Sequence, residues 1–172
     1  IFEGLGDVVS GNFYLYGPDY NPNIEPYPFD LEKARALLAE AGWADMDGNG
    51  VLEKTVAGKE EEFRFKLFSW ANSDTVENMC NIFKEQLRKI GVQMDVLPLD
   101  WALMQQKMQN REFDAYTGAW ALGWESDPYQ IWHSKMADTP KSSNMVSFRN
   151  EECDEIIETA RETFDPAGRR KL

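Results

Sequence analysis

At 172 residues the chain is long enough for one domain with a buried core, and its 42% apolar and 13% aromatic content marks it as globular rather than disordered. The formal net charge of −12 argues against nucleic acid and anionic membrane surfaces as partners, because both call for a basic patch. No apolar run approaches the ~20 residues of a membrane span.

In chain order, Ile1 to Leu5 reads as the end of a helix. Residues 6–29 are rich in Gly, Pro, Asn and Tyr and lack periodicity. They read as an irregular arm leading into an α/β lobe, which takes 30–172 as a single domain. Asp30 is a good N-cap acceptor. Leu31, Ala34, Leu37, Leu38 and Ala41 then repeat at helical spacing, and Gly42 supplies a stop. An acidic loop follows. Phe63, Phe65 and Leu67 alternate with charged residues, which is strand patterning. Ser73 or Asp74 caps a helix to Ile90 whose buried face is Val76, Met79, Cys80, Phe83, Leu87 and Ile90. Val92, Met94 and Val96 alternate as a second strand. Asp100 caps a short helix to about Asn110, and Phe113 to Ala121 reads as a third strand. Asp127-Pro128 opens another helix, Met145 to Phe148 reads as a short strand, and Asn150 caps a helix over 151–164 with Ile156, Ile157, Ala160 and Phe164 inside. Asp165-Pro166 looks like a further N-cap and first-turn proline. Both ends read as cut, so the chain reads as an excised piece of a longer protein. A strand, a helix of that length and a second strand imply parallel neighbours joined by a right-handed crossover, so the fold class is α/β.

Four features bear on chemistry. Asp45, Asp47, Asn49 and Gly50 match the first half of a calcium loop, with oxygen donors at alternate positions and a glycine for the turn. Glu53 falls at the ninth position. The twelfth is Val56, not the bidentate Glu of a complete loop, so the segment reads as either a weak calcium site or a solvated turn. Trp70 and Trp120 sit at the C-terminal ends of predicted strands, where open α/β sheets bind ligands. They read as either ligand-facing platforms or core filling. Asn72, just past Trp70, is a cap or a ligand-facing amide. The loop after Trp120 carries Trp124, Glu125 and Asp127. Trp43, Trp101 and Trp132 read as helix-adjacent packing. Cys80 and Cys153 lie on apolar stripes of separate helices and read as buried free thiols in preference to a disulfide, which the sequence leaves open. His133 is the one histidine, so a zinc or nickel site built from this chain alone is not expected. No GxSxG, HExxH or phosphate-cradling glycine loop is present. Glu125 and Asp127, two residues apart, suit solvated or capping roles better than a glycosidase acid and base.

Several strings resemble one family in order and spacing. They are "YPFDLEKARALLAEAGWADMDGNGVLE" (27–53), "KIGVQMDVLPLDW" (89–101), "NREFDAYTGAW" (110–120), "SDPYQIWHS" (126–134) and "SNMVSFRNEECDEIIETA" (143–160). Together they resemble the family 5 extracellular solute-binding proteins, the receptor subunits of dipeptide and oligopeptide ABC importers. The resemblance implies a type II periplasmic-binding-protein lobe with a partly parallel sheet flanked by helices, and a receptor rather than an enzyme. It implies a small solute or peptide held between this lobe and a missing lobe of the same chain, by hinge closure. It also implies an ABC permease as partner, a periplasmic or cell-surface location, a monomer, and no cofactor beyond the weak calcium candidate. Trp70, Asn72, Trp120, Trp124, Glu125 and Asp127 are the expected ligand-facing residues; Asp45, Asp47, Asn49 and Glu53 are the candidate metal ligands. One departure matters. Peptide-binding members carry an aspartate just after the tryptophan at this strand end, which anchors the peptide α-amino group. Here the matching position is Gly123 or Trp124, and neither is acidic. The alternatives from other classes are an exported carbohydrate-active enzyme domain with a calcium-stabilised loop, and a purely structural interaction domain.

Overall fold

The computed structural model describes residues 4–172; the helix end read at Ile1 to Leu5 rests on residues outside that range. The described residues group into two compact units interleaved along the chain. The first unit holds 4–5, 28–104 and 113–118; the second holds 6–27, 105–112 and 119–172.

The first unit is built on a parallel sheet. α1 (Leu31–Glu40) starts where Asp30 accepts a hydrogen bond from the Lys33 amide at 2.9 Å, and its one apolar stripe is only half-buried. β3 (Arg64–Trp70), α2 (Asp74–Arg88) and β4 (Gln93–Leu99) form the predicted strand–helix–strand unit. β3 and β4 pair in parallel from Arg64↔Gln93 to Trp70↔Leu99. The sheet order is β4-β3-β5, so β4 is an edge strand, and the edge tolerates Pro98, which has no amide to donate. α2 begins at Ser73, whose hydroxyl accepts from the Val76 amide at 3.4 Å. Leu67, Cys80 and Met94 form the centre of the core, with Phe65, Val76, Leu87, Val96 and Ala115 around them. The two free cysteines expected from the sequence are observed, Cys80 buried and Cys153 half-buried.

A hairpin that the sequence reading missed precedes β3. β1 (Glu53–Val56) and β2 (Lys59–Glu62) pair antiparallel across Ala57 and Gly58. Both turn residues have positive φ, 51° and 81°, as a two-residue hairpin loop of the primed type requires. The signal was the Ala-Gly pair between two short runs, masked by the acidic exposed residues of β2.

Three expectations about strands and buried faces need correction. The predicted third strand, Phe113 to Ala121, is only β5 (Ala115–Tyr116), paired with Leu67 and Phe68 of β3. Beyond it the chain leaves the sheet. The predicted strand at Met145 to Phe148 is irregular, because Ser147 takes φ 57° and the Asn144 side chain brackets Phe148 at both its amide and its carbonyl. Phe83, Ile156 and Phe164 are exposed, not inward; Phe164 lies beyond the end of its helix and is 95% exposed.

The second unit is helical. α3 (Trp101–Asn110) starts at Asp100, which accepts from the Leu103 amide, and its C-terminal part belongs to this unit. α4 (Tyr129–Trp132), α5 (Ser134–Ala137), α6 (Glu151–Glu162) and α7 (Pro166–Arg169) follow. Asn150 caps α6 through the Cys153 amide, and Asp165 caps α7, both as predicted. The centre holds Ala137, Ile157, His133 and Asn144. His133 accepts from the Lys135 amide at Nδ1, so its Nε2–H donates to Glu158 at 3.1 Å. That bond, with Lys135 beside it, holds the Glu158 carboxyl below the usual carboxylate range. No helix among the described residues is long and apolar enough to cross a membrane.

Candidate functional site

Each unit presents its own candidate surface. In the first, β3 and β4 run parallel and end together, so their C-terminal residues and the start of α2 enclose a cleft of ≈ 450 Å³. Trp70, Asn72, Asp74, Glu77 and Pro98 line it. This is the place where open parallel sheets hold ligands, because the strand ends leave backbone groups and the helix start facing one crevice. Trp70 is the last residue of β3 and is 55% exposed, so it is not core filling. Asn72 takes φ 63° and lines the cleft, while Ser73 does the capping. That separates the two roles the sequence left open for Asn72. Cys80, at the cleft floor, is pushed up in pKa by burial, which outweighs a hydrogen bond from Ser69. A thiol so held is not a nucleophile at neutral pH.

Trp101, read from the sequence as helix-adjacent packing, is 51% exposed, with its ring 6.0 Å from that of Trp70. The register explains the pair. Trp70 lies opposite Leu99, so the residue two beyond Leu99 arrives beside Trp70. The signal was present in the Leu-Pro-Leu-Asp-Trp string, but only strand pairing converts it into proximity. Trp43 and Trp132 behave as expected, packing on Phe63 at 4.5 Å and Phe148 at 5.2 Å.

In the second unit Trp120 lies four residues past the end of β5, not at a strand end, and is half exposed. Trp124 is 63% exposed with its ring 6.2 Å from Tyr14, which in turn meets Tyr16 edge-on at 5.8 Å. Glu125 and Asp127 line a second cleft of ≈ 420 Å³ with Asp19, Arg161 and Arg169. Asp127 accepts from the Tyr129 amide at 3.0 Å and pairs with Arg161 at 3.2 Å. Glu125 stands 4.0 Å from Arg169, which also lies 3.8 Å from Asp19. Both acids are therefore already faced by cations. Arg161 stacks over the Tyr129 ring at 4.4 Å. Tyr14, Tyr16, Arg161 and Arg169 were not singled out from the sequence, because the arm and α7 carry no periodic signal and the period of α6 marks its buried face, not the polar face that carries Arg161.

Three of the four candidate metal ligands converge, and the Asn49 oxygen instead accepts from the Val51 amide at 2.7 Å. One carboxylate oxygen from each of Asp45, Asp47 and Glu53 lies within 4.8 Å of the others.

Comparison with known proteins places this geometry. The family model for bacterial extracellular solute-binding proteins, family 5, matches residues 1–142. The chain is 32% identical over 171 residues to the oligopeptide-binding protein AppA of Bacillus subtilis, covering 96% of this chain and 30% of AppA. It is 28% identical over 173 residues to Heme-binding protein A of Haemophilus influenzae, covering 100% of this chain and 29% of that protein. The solved structure of AppA in complex with a nonapeptide superposes with a TM-score of 0.88 at 30% identity, over 98% of this chain and 33% of that one. The oligopeptide-binding protein of Thermus thermophilus complexed with a pentapeptide superposes at 0.87 with 28% identity, over 99% and 31%. These neighbours are type II periplasmic binding proteins, and the parallel sheet flanked by helices is a piece of that fold. The chain spans about a third of the length of the relatives it matches. With the matched model, the shared sheet and the cleft at its strand ends in agreement, this chain belongs to the bacterial extracellular solute-binding proteins, family 5, a family of non-catalytic receptors.

Proposed function

We propose that this chain is one lobe of a receptor that captures a peptide or a peptide-like, amphipathic solute outside the cytoplasmic membrane and delivers it to an ABC permease. The observation that carries this reading is exposed Trp70 on the wall of the cleft at the ends of β3 and β4, with the Trp101 ring 6.0 Å from its own. Two neighbouring exposed indoles offer apolar area and ring faces to a solute. The names of relatives point the same way: AppA and the Thermus protein are described with peptides bound. Heme-binding protein A, at similar identity, carries a different ligand in its name, so the framework alone does not fix the ligand in this reading. The enzyme alternative is set aside with the family assignment.

The solute is not anchored through an α-amino group at the Trp120 loop. Gly123 and Trp124 offer no carboxylate. Glu125 and Asp127 are faced by Arg169 and Arg161. A charged anchor would contribute roughly 1.5–3 kcal/mol, about ten- to a hundred-fold in affinity. The test is calorimetric titration of the complete receptor with a hydrophobic peptide and its N-acetylated form. Trp70→Ala is expected to weaken binding at least about five-fold, roughly 1 kcal/mol. Acetylation is expected to change it by less than about three-fold, roughly 0.6 kcal/mol. A large loss on acetylation, matched by a similar loss in Glu125→Gln, overturns the unanchored reading. Unchanged affinity in Trp70→Ala overturns the placement of the solute.

A further inference from the structure

We infer that the loop between α1 and β1 is a calcium site closed by Glu53, and that calcium clamps the helix-to-hairpin junction. The inference rests on the loop alone and is independent of which solute the receptor carries.

Three observations combine. First, the donors are all oxygen: one from each of Asp45, Asp47 and Glu53, lying within 4.8 Å of one another. A calcium ion holds its ligands at about 2.3–2.6 Å, so its ligands lie no more than about 4.6–5.2 Å apart, and the three oxygens fall within that limit. Asn49 is not one of them: its side chain accepts from the Val51 amide at 2.7 Å and donates to Asp47 at 2.9 Å.

Second, Glu53 is 3% exposed, and its Oε1 is buried without a hydrogen-bond partner. Its Oε2 accepts from the Met46 amide at 2.8 Å. A buried carboxylate oxygen with no partner costs stability unless something cationic or donating meets it. The neighbours it has are two more carboxylates, which repel it. A divalent cation at the shared point removes both costs at once.

Third, the backbone explains why the ninth position replaces the twelfth. In a helix–loop–helix calcium loop, the closing Glu arrives from the exiting helix. Here the chain exits as a strand. Ala44, the residue before the loop, and Glu53 exchange both backbone hydrogen bonds, at 3.0 and 2.8 Å. That bridge brings Glu53 back beside the first ligand three residues early, so Val56 at the twelfth position is not needed. The loop amides hold the other acids in place: Gly48 and Gly50 donate to Asp45 at 2.8 and 3.1 Å, and Asn49 donates to Asp47 at 3.0 Å. Oxygen donors with no nitrogen or sulfur among them select a hard cation, and a flexible loop of this kind suits calcium better than octahedral magnesium.

The experiment uses the 172-residue chain, freed of metal with a chelator and titrated with calcium chloride, with magnesium chloride as the control. Calorimetry is expected to show one site with Kd in the range of about 10⁻⁴–10⁻³ M, that of extracellular calcium modules. About ten millimolar calcium is expected to raise the melting temperature by at least about 3 °C over the chelated protein. Glu53→Gln keeps an acceptor for the Met46 amide and removes the buried charge, so it is expected to fold but to lose at least about ten-fold in calcium affinity. Asp47→Asn, at an exposed position, is expected to show the same loss. No heat and no thermal shift, an equal response to magnesium, or unchanged calcium binding in Glu53→Gln would each overturn the site.

Discussion

Asn144 shows what one side chain does in the second unit. It is fully buried, and its amide satisfies three backbone groups: it donates to the carbonyls of His133 and Phe148 and accepts from the Phe148 amide at 2.8 Å. The irregular segment after it, mostly exposed, is thereby pinned at Phe148 without a strand to pair with. Asn144→Ala is expected to destabilise the protein by about 2–3 kcal/mol, because it strands buried polar groups rather than merely removing contacts. The check is the urea midpoint at unchanged slope. Sequence inspection passed over this residue, since an Asn beside Met and Val reads as a strand edge. Trp70 and Asn72 were legible because the period-2 pattern located the end of β3. Trp101 was not, because its position beside Trp70 depends on register.

At the scale of elements, the helix boundaries follow from local chemistry. Asp30, Ser73, Asp100, Asn150 and Asp165 each accept a hydrogen bond from an amide two or three residues on, and each was readable as a cap. The β1–β2 hairpin depends on its turn. Ala57 sits at φ 51° and carries the left-handed penalty that Asn or Gly avoids. Ala57→Asn is expected to stabilise the hairpin by about 0.5–1 kcal/mol, raising the melting temperature by roughly 1–4 °C. Gly58→Ala is expected to act in the opposite direction by a similar amount. If both variants shift stability the same way, the turn assignment is wrong. Strand ends were the least legible elements. β5 pairs only at Leu67 and Phe68 although β3 continues to Trp70, and no feature of the string from 113 to 121 announces where it leaves the sheet.

For the whole molecule, the mass-action argument gives a test of the split receptor. The chain spans about a third of its relatives, so a peptide bound between this part and the rest would find only a share of its contacts here. A peptide that raises the melting temperature of the complete receptor by several degrees is expected to move that of the 172-residue chain by less than about 1 °C. Equal shifts in both would place the whole binding site within this chain. Charge acts at this scale as well: at a net charge of −12 exposed acids pair locally, as Asp127 and Glu158 do, while Glu53 is buried.

What the amino-acid sequence determined by itself is whatever is encoded over a few residues. Capping, the helical and strand periods, the alternate oxygen donors of the acidic loop and the parallel β3–α2–β4 unit all depend on backbone geometry within one element or between successive ones. What only the tertiary structure decided depends on residues far apart in the chain meeting. The Trp70–Trp101 pair needs the β3–β4 register. The cations facing Glu125 and Asp127 come from α6 and α7. The closing role of Glu53 needs a backbone bridge to Ala44. The physical reason is that side-chain burial and pairing are set by packing, which a linear pattern of polar and apolar residues constrains but does not specify.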